Sequence, residues 1–312
     1  MVIYIISDAK KGHLSQTRGL AQALMAQASE LRDSCEHSCH EVDVSHIGFF
    51  SKLFYTGEDL TYPPPDLILC AGHGTHVPAL RLARRMRCLC MVCMKPSLPT
   101  GLFDLCIIPR HDFRKHASCS AHVLLTSGAI NSITPHPEVE KRETLLLIGG
   151  PSKEFGWNEE HILTQLSTIT RYTTGQMVLT TSRRTPRGFA RALESAYPNI
   201  RIEPVEQTGP TWVADHLASA KEVWVTQDSV SMVYEALSSG APVGIIEMPV
   251  HPKREGKPPS RVARGLLGLV EEGRVSTFTA WAMNHQLPPA QPLHEAARAA
   301  DYILTHFPQL LS

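Results

Sequence analysis

His13 stands where a side chain could take a proton from an attacking hydroxyl near neutral pH. It belongs to the stretch Ser7-Asp8-Ala9-Lys10-Lys11-Gly12-His13-Leu14-Ser15-Gln16, which follows an apolar run and opens an amphipathic one. Gly12 lets a ligand approach the backbone closely, and the two lysines favour an anion. The same residues also permit a plainer part, in which His13 caps the helix or fills a satisfied polar site.

Four further stretches have this character. Cys70-Ala71-Gly72-His73-Gly74-Thr75-His76 offers two glycines and two histidines; with no further metal ligand evident, close backbone approach is the preferred reading. In Ile148-Gly149-Gly150-Pro151-Ser152-Lys153, Gly149 and Gly150 can present backbone donors to a diphosphate, unless they merely shape a turn. Close to it in character, Thr181-Ser182-Arg183-Arg184-Thr185 combines hydroxyls with guanidinium forks that suit phosphate oxygens, although surface arginines are common. The most specific stretch runs from Thr226 to Val243. Ser229 or Ser231 can cap its helix and meet phosphate, and Glu235, about a turn further on, can accept hydrogen bonds from a ribose diol. A well-capped helix with a surface glutamate is the alternative.

Cys88-x-Cys90-x-x-Cys93 and Cys35-x-x-x-Cys39 imitate metal-ligand spacing. Cys70, Cys90 and Cys106 lie in apolar, strand-like runs, where a thiol is a small buried hydrophobe, so no metal is expected.

These stretches need elements to hold them. Apolar runs rich in β-branched residues alternate with helical patterns throughout, the signature of βαβ units and parallel sheet. Strands are expected at Val2 to Ser7, Cys39 to Val44, Asp66 to Ala71, Cys88 to Met94 and Asp104 to Pro109. They are also expected at Thr144 to Ile148, Gln176 to Thr181, Glu222 to Thr226 and Pro242 to Glu247. At 312 residues the chain can bury two cores. The proline-interrupted segment from Ile133 to Arg142 reads as a linker. The expected architecture is therefore α/β, with an N-terminal domain over 1–135 and a C-terminal domain over 143–312, whose last helix has the option of returning to the first. With 30 basic and 30 acidic residues, no overall field draws the chain to nucleic acid. Met1 runs directly into a strand-like segment without a signal-peptide pattern, so a cytoplasmic location is expected.

The segment Asp228-Ser229-Val230-Ser231-Met232, with Glu235-Ala236 and Gly240-x-Pro242-Val243, resembles the donor-nucleotide motif of GT-B glycosyltransferases. Taken with Gly12-His13-x-x-Gln16-x-x-Gly19-Leu20 and Gly149-Gly150-Pro151-Ser152-Lys153, the chain is similar to bacterial members of the mitochondrial-fission Elm family. The resemblance covers roughly Ile3 to Met248. It implies a GT-B-like fold, two Rossmann-like domains with parallel sheets facing across a cleft. The implied activity is transfer of a sugar from a nucleotide sugar to an envelope glycan or lipid-linked acceptor, without a metal or other cofactor. In that scheme Ser229 and Ser231 meet phosphate and Glu235 meets ribose. Gly12, Gly149, Gly150, Ser182 and Arg183 complete the binding residues, and His13 is the catalytic base. A non-catalytic adaptor that recruits a protein partner, and a nucleotide-sugar epimerase, are alternatives on the same fold. The basic residues Lys253, Arg254, Lys257, Arg261 and Arg264 suit an anionic acceptor or a peripheral contact with the inner membrane, with a solvated basic face as the plainer alternative.

Overall fold

The computed structural model describes residues 1–32, 36–57, 60–113 and 120–311. They form two compact units, Met1–Ser132 with His294–Ser312, and Ile133–Leu293. The first unit contains β1 (Val2–Ser7), α1 (Lys11–Leu31), β2 (Ser38–Asp43), α2 (Phe49–Lys52), β3 (Leu67–Ala71), α3 (His73–Met86), β4 (Leu89–Cys93), β5 (Leu105–Pro109) and β6 (Val123–Thr126). The second contains β7 (Glu143–Leu147), α4 (Glu159–Tyr172), β8 (Gln176–Thr180), α5 (Phe189–Ala196), β9 (Ile200–Glu203), α6 (Trp212–Ser219) and β10 (Ala220–Thr226). It continues with α7 (Val230–Ser238), β11 (Val243–Ile246), α8 (Arg261–Glu271), β12 (Val275–Thr277) and α9 (Phe278–Trp281), after which α10 (Glu295–His306) rejoins the first unit.

Each unit is built on a six-stranded sheet, ordered β2-β1-β3-β4-β5-β6 in the first and β12-β11-β10-β7-β8-β9 in the second. Every pairing in both is parallel. The inner strands such as β3, β5, β7 and β11 are buried along their whole length, which is why they read as continuous apolar runs. Side chains alternate across the first sheet with a period of two. Ile3, Ile5, Leu67, Leu69, Met91 and Ile107 face one core, where α1 and α10 pack. Tyr4, Ile6, Ile68, Cys70, Val92 and Ile108 face the other, under α3. In the second unit, Leu146, Ile148, Leu179 and Trp224 pack with Ile162, Leu166 and Ile169 of α4.

The second unit is bounded at residues 133 and 293. Residues 133–142 pack with that unit instead of standing apart. Arg142 N donates to Ser219 O at 2.8 Å, and Lys141 Nζ donates to Ala218 O at 2.6 Å. Residues 294–312 pack with the first unit, because the apolar face of α10 (Ala299, Ala300, Ile303, Leu304) joins Leu20, Ala21, Leu24 and Ala28 of α1.

Both sheets reverse their strand order once. In the first, β1 lies between β2 and β3; in the second, β7 lies between β10 and β8. The loops leaving such neighbours part to opposite faces, and the crevice between them at the carboxyl end is where open α/β sheets bind ligands.

Candidate functional site

At the first reversal, the loops after β1 and β3 bring His13 and Asp8 together. His13 Nδ1 lies 2.9 Å from Asp8 Oδ1 and 3.1 Å from Oδ2. Lys10 Nζ donates to Asp8 Oδ2 at 2.8 Å. The loop is tight: Ser7 Oγ accepts from Ala9 N at 3.0 Å, and Ala9 takes a left-handed φ of 59°. The Asp8 side chain is only 7% exposed. Burial pulls its carboxyl upward, and hydrogen bonds from Lys10 and His13 outweigh that, leaving it below the usual carboxylate value. An ionised Asp8 accepts from Nδ1–H, so Nε2 of a neutral His13 keeps its lone pair and can accept a proton.

Gly72 makes this pair possible. Its φ is +88°, and a Cβ built there would collide with the His13 ring and approach Asp8 Oδ2 to 3.2 Å. Beside it, His76 is buried, and its Nδ1 lies 3.2 Å from Ser97 Oγ. Burial, helped by the charges of His73 and His13, takes its pKa down to about 4, so it is neutral at physiological pH. Gly12, in the exposed first turn of α1, meets nothing within 4 Å if given a Cβ, so nothing among the described residues demands glycine there.

At the second reversal, the loops after β7 and β10 interlock. Gly149 N donates to Thr226 Oγ1 at 2.6 Å, and Gly150 N donates to Asp228 Oδ2 at 3.2 Å. A Cβ on Gly149 would strike the Asp228 carboxylate and Ser229 Oγ; one on Gly150 would strike the backbone of Arg184 and Thr185. Arg184, from the loop after β8, reaches into the same place. Its Nη2 lies 2.5 Å from Asp228 Oδ2 and 3.1 Å from Ser229 Oγ, while the Asp228 side chain is 0% exposed.

Ser229 occupies the N-cap position of α7, yet its hydroxyl makes no cap; it donates to Asp228 Oδ2 at 2.9 Å. The first turn of α7 therefore carries its partial positive charge without a side-chain cap at Ser229. Ser231 is exposed in that turn. Glu235, one turn on, is partly buried, and burial pushes its carboxyl up to about 7. Among the described residues its carboxylate has no hydrogen-bond or ion-pair partner.

Of the expected residues, Gly149, Gly150 and Ser229 come together around Asp228. Ser182 does not join them: its hydroxyl accepts from Arg184 N at 3.1 Å and so shapes the turn that presents Arg184. Arg183 is exposed, and the guanidinium in this cluster is that of Arg184. Asp8, Gly72, Arg184, Thr226 and Asp228 lie in the stretches read from sequence, but no individual role in the site was assigned to them there. The signal for Asp8 was an acid ending a strand five residues before a helix-opening histidine. For Arg184, nothing in the sequence separates it from its neighbour.

Cys90 and Cys93 are three apart on β4 and so face opposite cores, which prevents them from sharing a metal. Burial raises the thiols of Cys88, Cys93 and Cys106 to about 12. Cys35 lies outside the described residues. Among the described residues no group of three or more His, Cys, Asp or Glu side chains is arranged to hold a metal ion.

Among proteins compared by fold, a Listeria monocytogenes protein proposed to be a UDP-N-acetylglucosamine 2-epimerase superposes with a TM-score of 0.56 at 12% identity, covering 99% of this chain and 97% of that one. The avilamycin glycosyltransferase AviGT4 gives 0.50 at 15%, covering 100% and 98%. The fold is thus GT-B-like α/β. By sequence, an uncharacterized protein of Rickettsia prowazekii is 29% identical over 297 residues, 80% of this chain and 84% of that protein. The mitochondrial fission protein ELM1 of Arabidopsis thaliana is 26% identical over 245 residues, 67% of this chain and 55% of that protein. A family model described as mitochondrial fission ELM1 matches residues 11–307, and the chain belongs to that family.

Proposed function

We propose that this protein is a cytoplasmic glycosyltransferase that takes a sugar from a nucleotide-sugar donor and passes it to a glycan or lipid-linked acceptor without a resident metal. The observation that carries the reading is the second reversal. There a glycine pair, a helix start without a side-chain cap and the Arg184 guanidinium surround one point, and an unpartnered carboxylate lies one turn beyond.

The chemistry follows from these groups. The acceptor oxygen bonds to the anomeric carbon as the bond from that carbon to the diphosphate oxygen breaks. The electron pair leaves on the nucleoside diphosphate, whose charge is met by the N–H groups of the first turn of α7 and by Arg184. The N–H groups of Gly149 and Gly150, expected from sequence to face the diphosphate, are instead taken by Thr226 and Asp228, and the two glycines serve by leaving room for the groups around them. Glu235 accepts from the ribose hydroxyls. The acceptor proton needs a base, and within the first unit His13 Nε2 has the chemistry for that part, with Asp8 to stabilise the imidazolium formed.

Titration calorimetry with UDP, GDP and CMP compounds tests the donor site. Micromolar binding by the wild type, lost in Glu235→Ala, supports the reading; no affinity for any of them sinks it and favours a protein-recruiting role. Several similar folds carry the name UDP-N-acetylglucosamine 2-epimerase, so the donor should also be incubated alone. An epimerised product without acceptor would replace transfer by epimerisation.

A further inference from the structure

The face of the first unit formed by α2, the turn after it and α3 is not used by the proposed chemistry. Phe50 is 77% exposed and Phe54 72% exposed, one helical turn apart. They border a shallow apolar hollow of about 530 Å³ that also involves Ile47 and Tyr55. Two large aromatic side chains left this open are unusual on a folded surface.

Cations surround them. Arg81, Arg84 and Arg85 recur at helical spacing on the exposed side of α3. The Arg81 guanidinium carbon lies 5.9 Å from the centre of the Phe54 ring, and Arg85 Nη1 donates to Thr56 O at 2.9 Å, tying the arginine row to the aromatic loop. Lys52 and Arg87 extend the set, and α2 and α3 contain no acidic residue. The nearest acids in sequence, Glu58 and Asp59, lie outside the described residues.

We infer that this face docks on an anionic lipid surface, with Phe50 and Phe54 entering the interface and the arginine row meeting the headgroups. A flat bilayer accepts aromatic side chains at headgroup depth, and its negative potential attracts a row of cations. This assigns any membrane contact to the first unit instead of to the basic stretch 253–264 of the second. There Arg254 is paired with Glu154 at 3.0 Å and also donates to Pro258 O, and Arg264 donates to Pro259 O at 3.1 Å, so these cations are held within the chain. The inference does not depend on the proposed sugar transfer.

Flotation of the full chain with vesicles tests it, using phosphatidylcholine alone and phosphatidylcholine with 30% phosphatidylglycerol. The wild type is expected to float with the anionic vesicles at least ten-fold more than with the neutral ones. Phe50→Ser with Phe54→Ser, and separately Arg81→Glu with Arg84→Glu, should each lower that by ten-fold or more with an unchanged melting temperature, since these side chains are exposed. Reversing Lys253, Lys257 and Arg261 should leave flotation within two-fold of wild type. Absence of wild-type flotation, or flotation lost only when the 253–264 stretch is reversed, overturns the assignment. So does flotation unchanged in both α2/α3 variants, which would leave that face to a protein partner.

Discussion

His13 and Asp8 are held in contact by the residue opposite them having no side chain: the space a Cβ on Gly72 would take is filled by the imidazole. The pair and the glycine come from neighbouring strands, β1 and β3, so the sheet itself sets their separation.

Gly72→Ala should break this arrangement. The strained φ and the clash together predict a loss of about 1–3 kcal/mol in urea unfolding. The Nδ1 proton resonance of His13 should also lose the shift caused by a carboxylate partner. An unchanged resonance would mean that Gly72 is not what positions the ring.

Asp8→Asn isolates the charge. Because the folded-state pKa of Asp8 is depressed, its contribution to stability is present above the unfolded value of about 3.9 and disappears as pH falls through the folded value. The wild type should therefore be more stable than the variant at pH 6, with the gap closing below pH 4 in acid-unfolding curves. A gap that persists at pH 2.5 would contradict the ion pair.

Glu235 behaves in the opposite sense. Its folded-state carboxyl is raised from 4.5 to about 7, so holding it ionised costs stability as pH rises between those values. Glu235→Gln should match the wild type near pH 4.5 and exceed it above pH 8 by on the order of 3 kcal/mol, read from guanidinium melts. With a nucleotide bound, the order should reverse if the carboxylate holds the ribose.

Removing Arg184 leaves a fully buried carboxylate without its cation. Arg184→Ala is expected to cost about 2–3 kcal/mol, somewhat less than a wholly buried pair would, because the arginine side chain is 45% exposed. Arg184→Met with Asp228→Asn should recover most of that loss. Arg183→Ala should be nearly neutral.

Gly149 and Gly12 offer a contrast within one residue type. Gly149→Ala should cost at least 2 kcal/mol by the overpacking it forces at a buried strand end, roughly the middle of the range for such changes. Gly12→Ala should leave stability unchanged or raise it by up to about 1 kcal/mol, since alanine is the better helix former. Any effect of Gly12→Ala on turnover would then report ligand approach.

The architecture was readable because buried parallel strands write themselves as unbroken apolar runs. The strands near Val2, Asp66, Cys88, Thr144 and Glu222 appear within a residue or two of where their hydropathy puts them. Shorter or less apolar strands, β6, β9 and β12, were not readable: Ile200-Arg201-Ile202-Glu203 carries its strand by pairing with β8, and no local pattern announces it. The same limit applies at the sites. Glycines and hydroxyls could be read from loop composition, because each loop is a local object. The contact of Arg184 with Asp228 could not, since it joins residues 44 apart through the order of strands in a sheet. A helix cap was expected of Ser229 or Ser231 from their position, and the Ser229 hydroxyl turns instead to a buried carboxylate, where an orphan acceptor is costly.

The return of α10 to α1 has a consequence for how the chain is made. The apolar face of α1 is complete only when Ala299, Ala300, Ile303 and Leu304 arrive, and these emerge from the ribosome after the whole of the second unit. The unit begun first is thus finished last. During synthesis Leu20 and Leu24 wait without their final cover while residues 133–293 can close on themselves, so a nascent chain stalled near residue 290 would be a natural client for chaperones that bind exposed apolar helices.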